Sequence, residues 1–202
     1  MATLALNKTS LHKENLRLKT FERFLPTLDL KRKQLLMERA KAAASLAQIR
    51  DELDELEEMV ATQLPMVSNE LVDLTKLVQV TEVHLSEENV VGAYVPVLDS
   101  FKVETRPYGY LVRPHWVDTV ALRLKEMLEL KIRVQVARRR YELLEVAARK
   151  ITQRVNLFEK VLIPRTRQNI KRIRLFLSDA ERISVVQAKI AKGKQVAAEV
   201  AS

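Results

Sequence analysis

The sequence has no cysteine, only three glycines and six prolines among 202 residues, and aromatic side chains make up 5% of it. Without cysteine the chain can form neither a disulfide nor a zinc–thiolate site, and thiol catalysis is excluded. The scarcity of aromatic residues argues against a large rounded core, in which they supply much of the buried area. The abundant residues are Leu, Ala, Val, Glu, Lys and Arg, a composition typical of long helices.

Long hydrophobic runs are also missing. No stretch approaches the ~18 uncharged apolar residues that a membrane-spanning helix needs. The first 15 residues lack the apolar core of a signal peptide. We therefore expect a soluble intracellular chain that does not insert into a membrane.

Charge is abundant and unevenly distributed around a net value of +9. The segment Lys8–Lys41 carries ten Lys and Arg against four acids, and Lys160–Lys194 carries ten against two. Between them, Arg50–Glu58 holds one Arg and six acids. Solvated helix faces account for such runs in many proteins. The alternative is that the two basic ends lie side by side and form one basic tip.

Apolar residues recur at alternating steps of four and three in two long segments. This spacing keeps one stripe of each helix facing a partner helix, as in a coiled coil. The predicted seam of the first segment, between residues 31 and 78, includes Ile49, Leu53, Leu56 and Val60. The seam of the second, which begins after Pro114, comprises Val134, Ala137, Tyr141, Leu144, Ala148, Ile151, Val155, Phe158 and Leu162.

Neither helix can bury such a seam alone, so the two are predicted to pack on each other in antiparallel orientation. The segment between them contains β-forming residues punctuated by Gly and Pro, which predicts one or two β-hairpins with turns near 86–89 and 99–100. Pro26, Pro65 and Pro164 should kink or break their helices. The predicted fold is dominated by α-helix: a long antiparallel two-helix coiled coil with a small β-hairpin head. The predicted boundaries are 1–79, 80–114 and 115–202.

The chain offers little material for catalysis. Its three histidines, His12, His84 and His115, lie far apart in the sequence, and the glycines form no phosphate-binding loop. The acids of 51–58 are spread around a helix surface, so we expect no metal site. Trp116 is expected to anchor the head to the second helix. Nucleic-acid binding is disfavoured, because the basic residues are spread over long seams with few aromatic residues for base stacking.

Three stretches resemble the D subunit of the V-type and archaeal-type rotary ATPases. The first is 7–33, with its run Leu-Arg-Leu-Lys at 16–19, and the second is Asn-Val-Val-Gly-Ala-Tyr-Val-Pro at 89–96. The third and most specific is Arg-Val-Asn-Leu-Phe-Glu-Lys-Val-Leu-Ile-Pro at 154–164, followed by Ile170, Ile173 and Leu177. Pro26 and the stretch 175–178 depart from the family pattern. The three stretches touch the start, middle and end of the chain.

This resemblance implies a non-catalytic central rotor shaft that transmits torque and binds no cofactor. In that family the shaft enters a hexamer of catalytic and regulatory subunits, binds the small F subunit, and reaches the membrane ion-translocating ring through a socket subunit. The chain would then be cytoplasmic and peripheral to the membrane. The hexamer-facing tip is expected at Arg165, Arg167, Lys171, Arg172 and Arg174. Membrane-side contact is expected at Val90, Val91, Gly92, Tyr94 and Pro96. A stand-alone coiled-coil scaffold or tether is the alternative.

Overall fold

The computed structural model describes residues 5–65, 74, 77–106, 114 and 116–200, and the side chains of 195–200 are not described. In chain order its elements are helix α1 (Lys8–Gln63), strands β1 (Val78–Val90) and β2 (Ala93–Thr105), helix α2 (Trp116–Leu157), one π-helical turn (Phe158–Leu162) and helix α3 (Ile163–Val200). The predicted fold class, helical and coiled-coil-like with one small antiparallel hairpin, is confirmed.

Helix α1 begins with a side-chain cap. The Asn7 Oδ1 accepts a 2.7 Å hydrogen bond from the Ser10 amide and so satisfies one of the free amides of the first turn. The helix ends at Gln63, two residues before Pro65, which has no amide hydrogen and disfavours helical backbone in the residue before it. The prediction that this helix extends to about residue 79 is wrong, since Val78 already belongs to β1. The division into three domains stays a prediction.

The two strands form one antiparallel hairpin, Val78–Thr105, with Val90 paired to Ala93. Its turn consists of Val91 and Gly92, which both have positive φ, at 55° and 89°. Two positive φ values in a two-residue loop are the mark of a type I′ turn, whose twist matches that of the strands. The Asn89 Oδ1 accepts a 2.8 Å hydrogen bond from the Gly92 amide and closes the turn.

The predicted turns near 86–89 and 99–100 are wrong, because both stretches lie within paired strands. The polar residues at 99–100 mark a β-bulge instead: His84 pairs with Ser100 and Leu85 with Leu98, which leaves Asp99 as the extra residue. The Ser86 hydroxyl lies 2.8 Å from the Asp99 Oδ1. A bulge and a turn both favour short polar side chains, which explains the error.

The left-handed backbone of Val91 should cost stability, because a β-branched residue is strained there, while asparagine tolerates this conformation. We expect Val91→Asn to stabilise the hairpin by about 1 kcal/mol and to slow amide exchange of β1 and β2 about fivefold. Hydrogen exchange followed by mass spectrometry would measure this. Gly92→Ala is the opposing control. An added Cβ meets nothing within 4 Å there, so only backbone strain should speed exchange. Equal exchange in all three chains would show that the turn is not strained.

The chain divides into two compact units. One comprises residues 1–30 with 151–202, and the other comprises 31–150. The second unit contains the hairpin and a small core at the start of α2, where the buried Leu77, Val117 and Ala121 are packed against Trp116 and Leu124. The expected anchoring position of Trp116 agrees with this cluster.

Candidate functional site: the paired helices

In the unit of residues 31–150, α1 and α2 run antiparallel. The Lys131 Nζ lies 3.4 Å from a Glu57 carboxylate oxygen, while a shallow groove further on is lined by Ala42 together with Ala137 and Arg140. Residues later in α1 therefore lie beside residues earlier in α2, which is the antiparallel arrangement. Of the predicted seam positions in this unit, Leu56, Leu144 and Ala148 are buried, and the others are half-buried: Ile49, Leu53, Val60, Val134, Ala137 and Tyr141.

In the unit of 1–30 with 151–202, the same antiparallel arrangement joins the beginning of α1 to the end of α2 and to α3. The rings of Phe21 and Phe158 meet edge to face with centroids 5.3 Å apart. The Arg167 guanidinium bridges to Glu22 at 2.8 Å. The remaining predicted seam positions here are Ile151 and Val155, which are buried, and Leu162, which is half-buried like Phe158.

The seam of α1 begins earlier than predicted. Buried and half-buried positions follow the alternating three and four spacing from the first turns of α1 onward, and one of them is a carboxylate. The side chain of Glu14 is 7% exposed. One of its oxygens accepts a 2.7 Å hydrogen bond from Arg17 and the other a 3.2 Å bond from the Asn169 amide on α3. Because both oxygens are satisfied, the buried charge is tolerated and ties one helix to the other at a fixed register.

Sequence reasoning missed Glu14, since the seam was sought among apolar residues only. The detectable signal was its position, three residues after Leu11 and four before Leu18.

Removing this carboxylate should destabilise the unit. We expect Glu14→Ala to lower the free energy of unfolding by about 1–2 kcal/mol, because Arg17 and the half-buried Asn169 amide lose their acceptor. Chemical denaturation followed by circular dichroism is the measurement. Glu38→Ala is the matched control: Glu38 also bonds a cation three residues later at 2.7 Å, but in an exposed pair worth about 0.5 kcal/mol or less. If the two variants lose the same free energy of unfolding, the Glu14 carboxylate does not link α1 to α3.

Pro164 follows the π-helical turn, in which the Ile163 amide donates to the Phe158 carbonyl, five residues back instead of four. The turn holds one residue more than an α turn. In a regular coiled coil a seam position recurs every seven residues. Ile151 would then be followed in the seam by Phe158, Arg165 and residue 172. The buried side chains are instead Thr166 and Ile173, one residue later in each case. The π turn therefore moves two arginines off the covered face.

The five candidate tip residues accordingly lie on the surface of α3. Arg165, Arg167, Lys171, Arg172 and Arg174 are all exposed. Arg167 forms the bridge to Glu22, and no ion pair of the other four occurs within the described residues. Beyond residue 178, every residue of α3 whose side chain is described is exposed.

The candidate contact residues of the hairpin are mixed in exposure. Val90 is buried, Val91 and Pro96 are half-buried, and Gly92 and Tyr94 are exposed. The hairpin packs along α2: the Arg140 guanidinium lies 2.8 Å from Glu88, and that of Arg133 lies 5.8 Å from the centroid of the Phe101 ring. The tip of the hairpin thus lies beside the middle of α2.

The charged groups of the hairpin show no catalytic arrangement. The hydrogen bond and charge that Lys102 shares with Glu104 at 2.7 Å raise the pKa of Lys102 and lower the pKa of Glu104. Both side chains are exposed, so this is a surface pair. His84 lies 3.7 Å from Glu82 in solvent, and His115 lies outside the described residues. Among the described residues no three metal-ligating side chains gather around one point.

Comparison with known proteins fits these paired helices. The family model for the D subunit of ATP synthase matches residues 10–193. The chain belongs to this family of ATP synthase D subunits. It is 35% identical over 196 residues to the D subunit of the V-type ATP synthase of Borreliella burgdorferi, covering 97% of this chain and 96% of that protein. The protein of the same name from Chlamydia felis is 35% identical over 193 residues, covering 95% and 93%. The resemblance found in the three sequence stretches is therefore confirmed.

The length and hydropathy of a helix decide whether it can cross a membrane. Across the described ranges, none of the helices is sufficiently long and apolar to cross a membrane.

Proposed function

We propose that this chain is the central rotor shaft of a V/A-type rotary ATPase. It would transmit torque between the hexamer that hydrolyses or synthesises ATP and the membrane ring that moves ions. The observation that carries the proposal is that antiparallel helices are paired within each unit. The buried and half-buried residues of these pairs recur every three and four positions. The names of the relatives, which are D subunits of V-type ATP synthases, point to the same complex.

A two-stranded coiled coil suits this task. Side chains interlocked along the seam make two helices resist twisting together. On this proposal nucleotide is bound by the hexamer, and the present chain binds no cofactor and catalyses nothing. The exposed cations of α3 would face the inside of the hexamer. Their charge is spread over several residues of a helix surface, so it need not fix a single angle of rotation.

The partners we propose are the catalytic and regulatory subunits of the hexamer, the small F subunit, and the socket subunit that joins the shaft to the membrane ring. The chain would be cytoplasmic and peripheral, held at the membrane through these partners. The hairpin residues Val90–Pro96 would contribute contacts on the membrane side.

The test is affinity purification from the native host with a tag on this chain, followed by mass spectrometry and an ATPase assay. We expect a nucleotide-hydrolysing hexamer together with a small partner of the shaft. Recovery of this chain with itself alone would overturn the proposal and favour a coiled-coil scaffold or tether.

A further inference from the structure

In the unit of residues 31–150 a groove of about 370 Å³ runs between α1 and α2. Its apolar residues are Leu56, Met59 and Leu130, and Met59 is 40% exposed although it lies beside the seam. These residues are spaced as neighbours on the two helices, so they form a strip along the groove. Such a strip between two helices can accept the apolar face of a third helix.

The rim of this groove is acidic. Glu52 and Glu55 line it from α1, and Glu126 and Glu129 line it from α2. Arg123 neutralises Glu126 at 2.8 Å. In the part of the chain that the structure describes, no Lys or Arg pairs with the other three carboxylates. Glu52 and Glu55 are exposed and Glu129 is half-buried, and a Glu52 oxygen accepts a 3.3 Å hydrogen bond from the neutral Gln48 side chain. Three carboxylates without a cationic partner therefore flank the apolar strip.

Among the residues that the structure describes, Arg133 is the only cation lining the groove, and it is engaged elsewhere. The guanidinium of Arg133 lies over the ring of Phe101 and belongs to the contact between α2 and the hairpin. The nearby Lys131 is paired with Glu57, which does not line the groove. The carboxylates are spread along two helices, so several separated cations match them better than one metal ion does.

We propose that this groove, defined by Glu52–Met59 and Glu126–Arg133, binds a basic amphipathic helix from another subunit of the assembly. Its apolar side chains lie on Leu56, Met59 and Leu130, and its Lys and Arg side chains pair with Glu52, Glu55 and Glu129. Charge complementarity selects a cationic partner and orients it before the apolar strip is covered. This inference rests on the proposed function, because it requires that the chain work within a complex.

The test uses the complex purified through a tag on this chain. A photoreactive benzophenone amino acid is placed at Met59 in the groove, and in a second chain at Ala61, which is exposed and does not line the groove. After irradiation, mass spectrometry identifies the cross-linked peptide. We expect the Met59 probe to capture a helical segment of another subunit that is rich in Lys and Arg, and the Ala61 probe not to capture it.

Charge reversal supplies the second measurement. We expect Glu55→Lys with Glu129→Lys to reduce this cross-link about tenfold and to reduce it more at low than at high salt. Asp54→Lys is the matched control, an exposed acid beside Glu55 that does not line the groove, and it should leave the cross-link unchanged. Asp54 and Glu55 are exposed, and Glu129 is half-buried at the rim of the groove, so none of the substitutions enters the core and the variants should fold.

The outcomes separate the two proposals. If a hexamer is recovered but the Met59 probe captures nothing, an acidic or neutral segment, or a second copy of this chain, the groove inference is wrong and the rotor proposal stands. Equal loss of the cross-link in the Asp54→Lys control would also overturn the groove inference. If no hexamer is recovered, both proposals fail.

Discussion

Leu144→Asp is expected to lower the free energy of unfolding by about 4 kcal/mol or more, because it places a carboxylate where the native side chain is 0% exposed. Leu144 lies in the seam of α2, with Ala148 buried one turn further on. Chemical denaturation followed by circular dichroism measures the change. Leu144→Ala, which creates a cavity and introduces no charge, should cost about 3 kcal/mol.

The control for this prediction is two residues away on the same helix. Val146 is 50% exposed, so Val146→Asp introduces the same charge into water and should change stability by about 0.5 kcal/mol or less. Equal destabilisation by the two aspartates would mean that Leu144 is not covered by a partner helix.

The same substitution tests the proposed rotor role. If the seam holds the helices together as one shaft, the Leu144→Asp complex should hydrolyse ATP with less ion transport for each ATP than the Val146→Asp complex. The measurement is ATPase rate and ion uptake in the same reconstituted vesicles. Fully coupled transport by Leu144→Asp would count against a seam that carries torque.

Deleting Ser86–Val97 is expected to leave α1 and α2 helical but to weaken the attachment of the chain on the membrane side or to alter the ATPase rate. The deletion removes the I′ turn and the paired ends of both strands, since Ser86 pairs with Val97. It also removes the buried Val90 and Val95, whose burial contributes about 1.5–3 kcal/mol each. Circular dichroism checks helicity, and purification with an ATPase assay checks assembly and activity.

Two single substitutions distinguish loss of packing from loss of a contact surface. Val95 is 0% exposed and Tyr94 is 64% exposed, although they are neighbours in β2. Val95→Ala should lower stability without changing assembly, whereas Tyr94→Ala should change assembly or ATPase rate with little effect on stability. Assembly and ATPase rate that match the native complex in both the deletion and Tyr94→Ala would remove the hairpin from the mechanism.

The helices could be predicted from the sequence because one physical requirement determines them. A stripe of apolar residues that recurs every three and four positions must be covered by a partner. Among the predicted seam positions, Leu144, Ala148 and Val155 are the most fully buried. The first helix was predicted, but the seam at its beginning was not. One position of that seam is Glu14, which is acceptable there only when Arg17 and Asn169 are in place. A partner on a distant helix cannot be read from local spacing.

The hairpin was predicted to exist, but its turn was placed wrongly. Alternating β-formers are a local property and were recognised, whereas Val91-Gly92 lacks the Asn-Gly or Asp-Gly pair that usually marks a type I′ turn. The asparagine is present two residues earlier, as Asn89, and acts through its side chain. Proximity of the hairpin to Arg140 depends on tertiary packing, so it could not be inferred from strand propensity.

The π turn at Phe158–Leu162 also determines which changes in chain length this helix tolerates. It contains one surplus residue, so deleting the exposed Glu159 or Lys160 would convert it to a regular α turn and leave Thr166 and Ile173 on the covered face. The stretch from Leu144 to Ile151 is regular α-helix and has no extra residue of this kind. A one-residue deletion there would rotate the following helix by about 100° and expose its seam. Related chains one residue shorter should therefore have lost that residue at this turn.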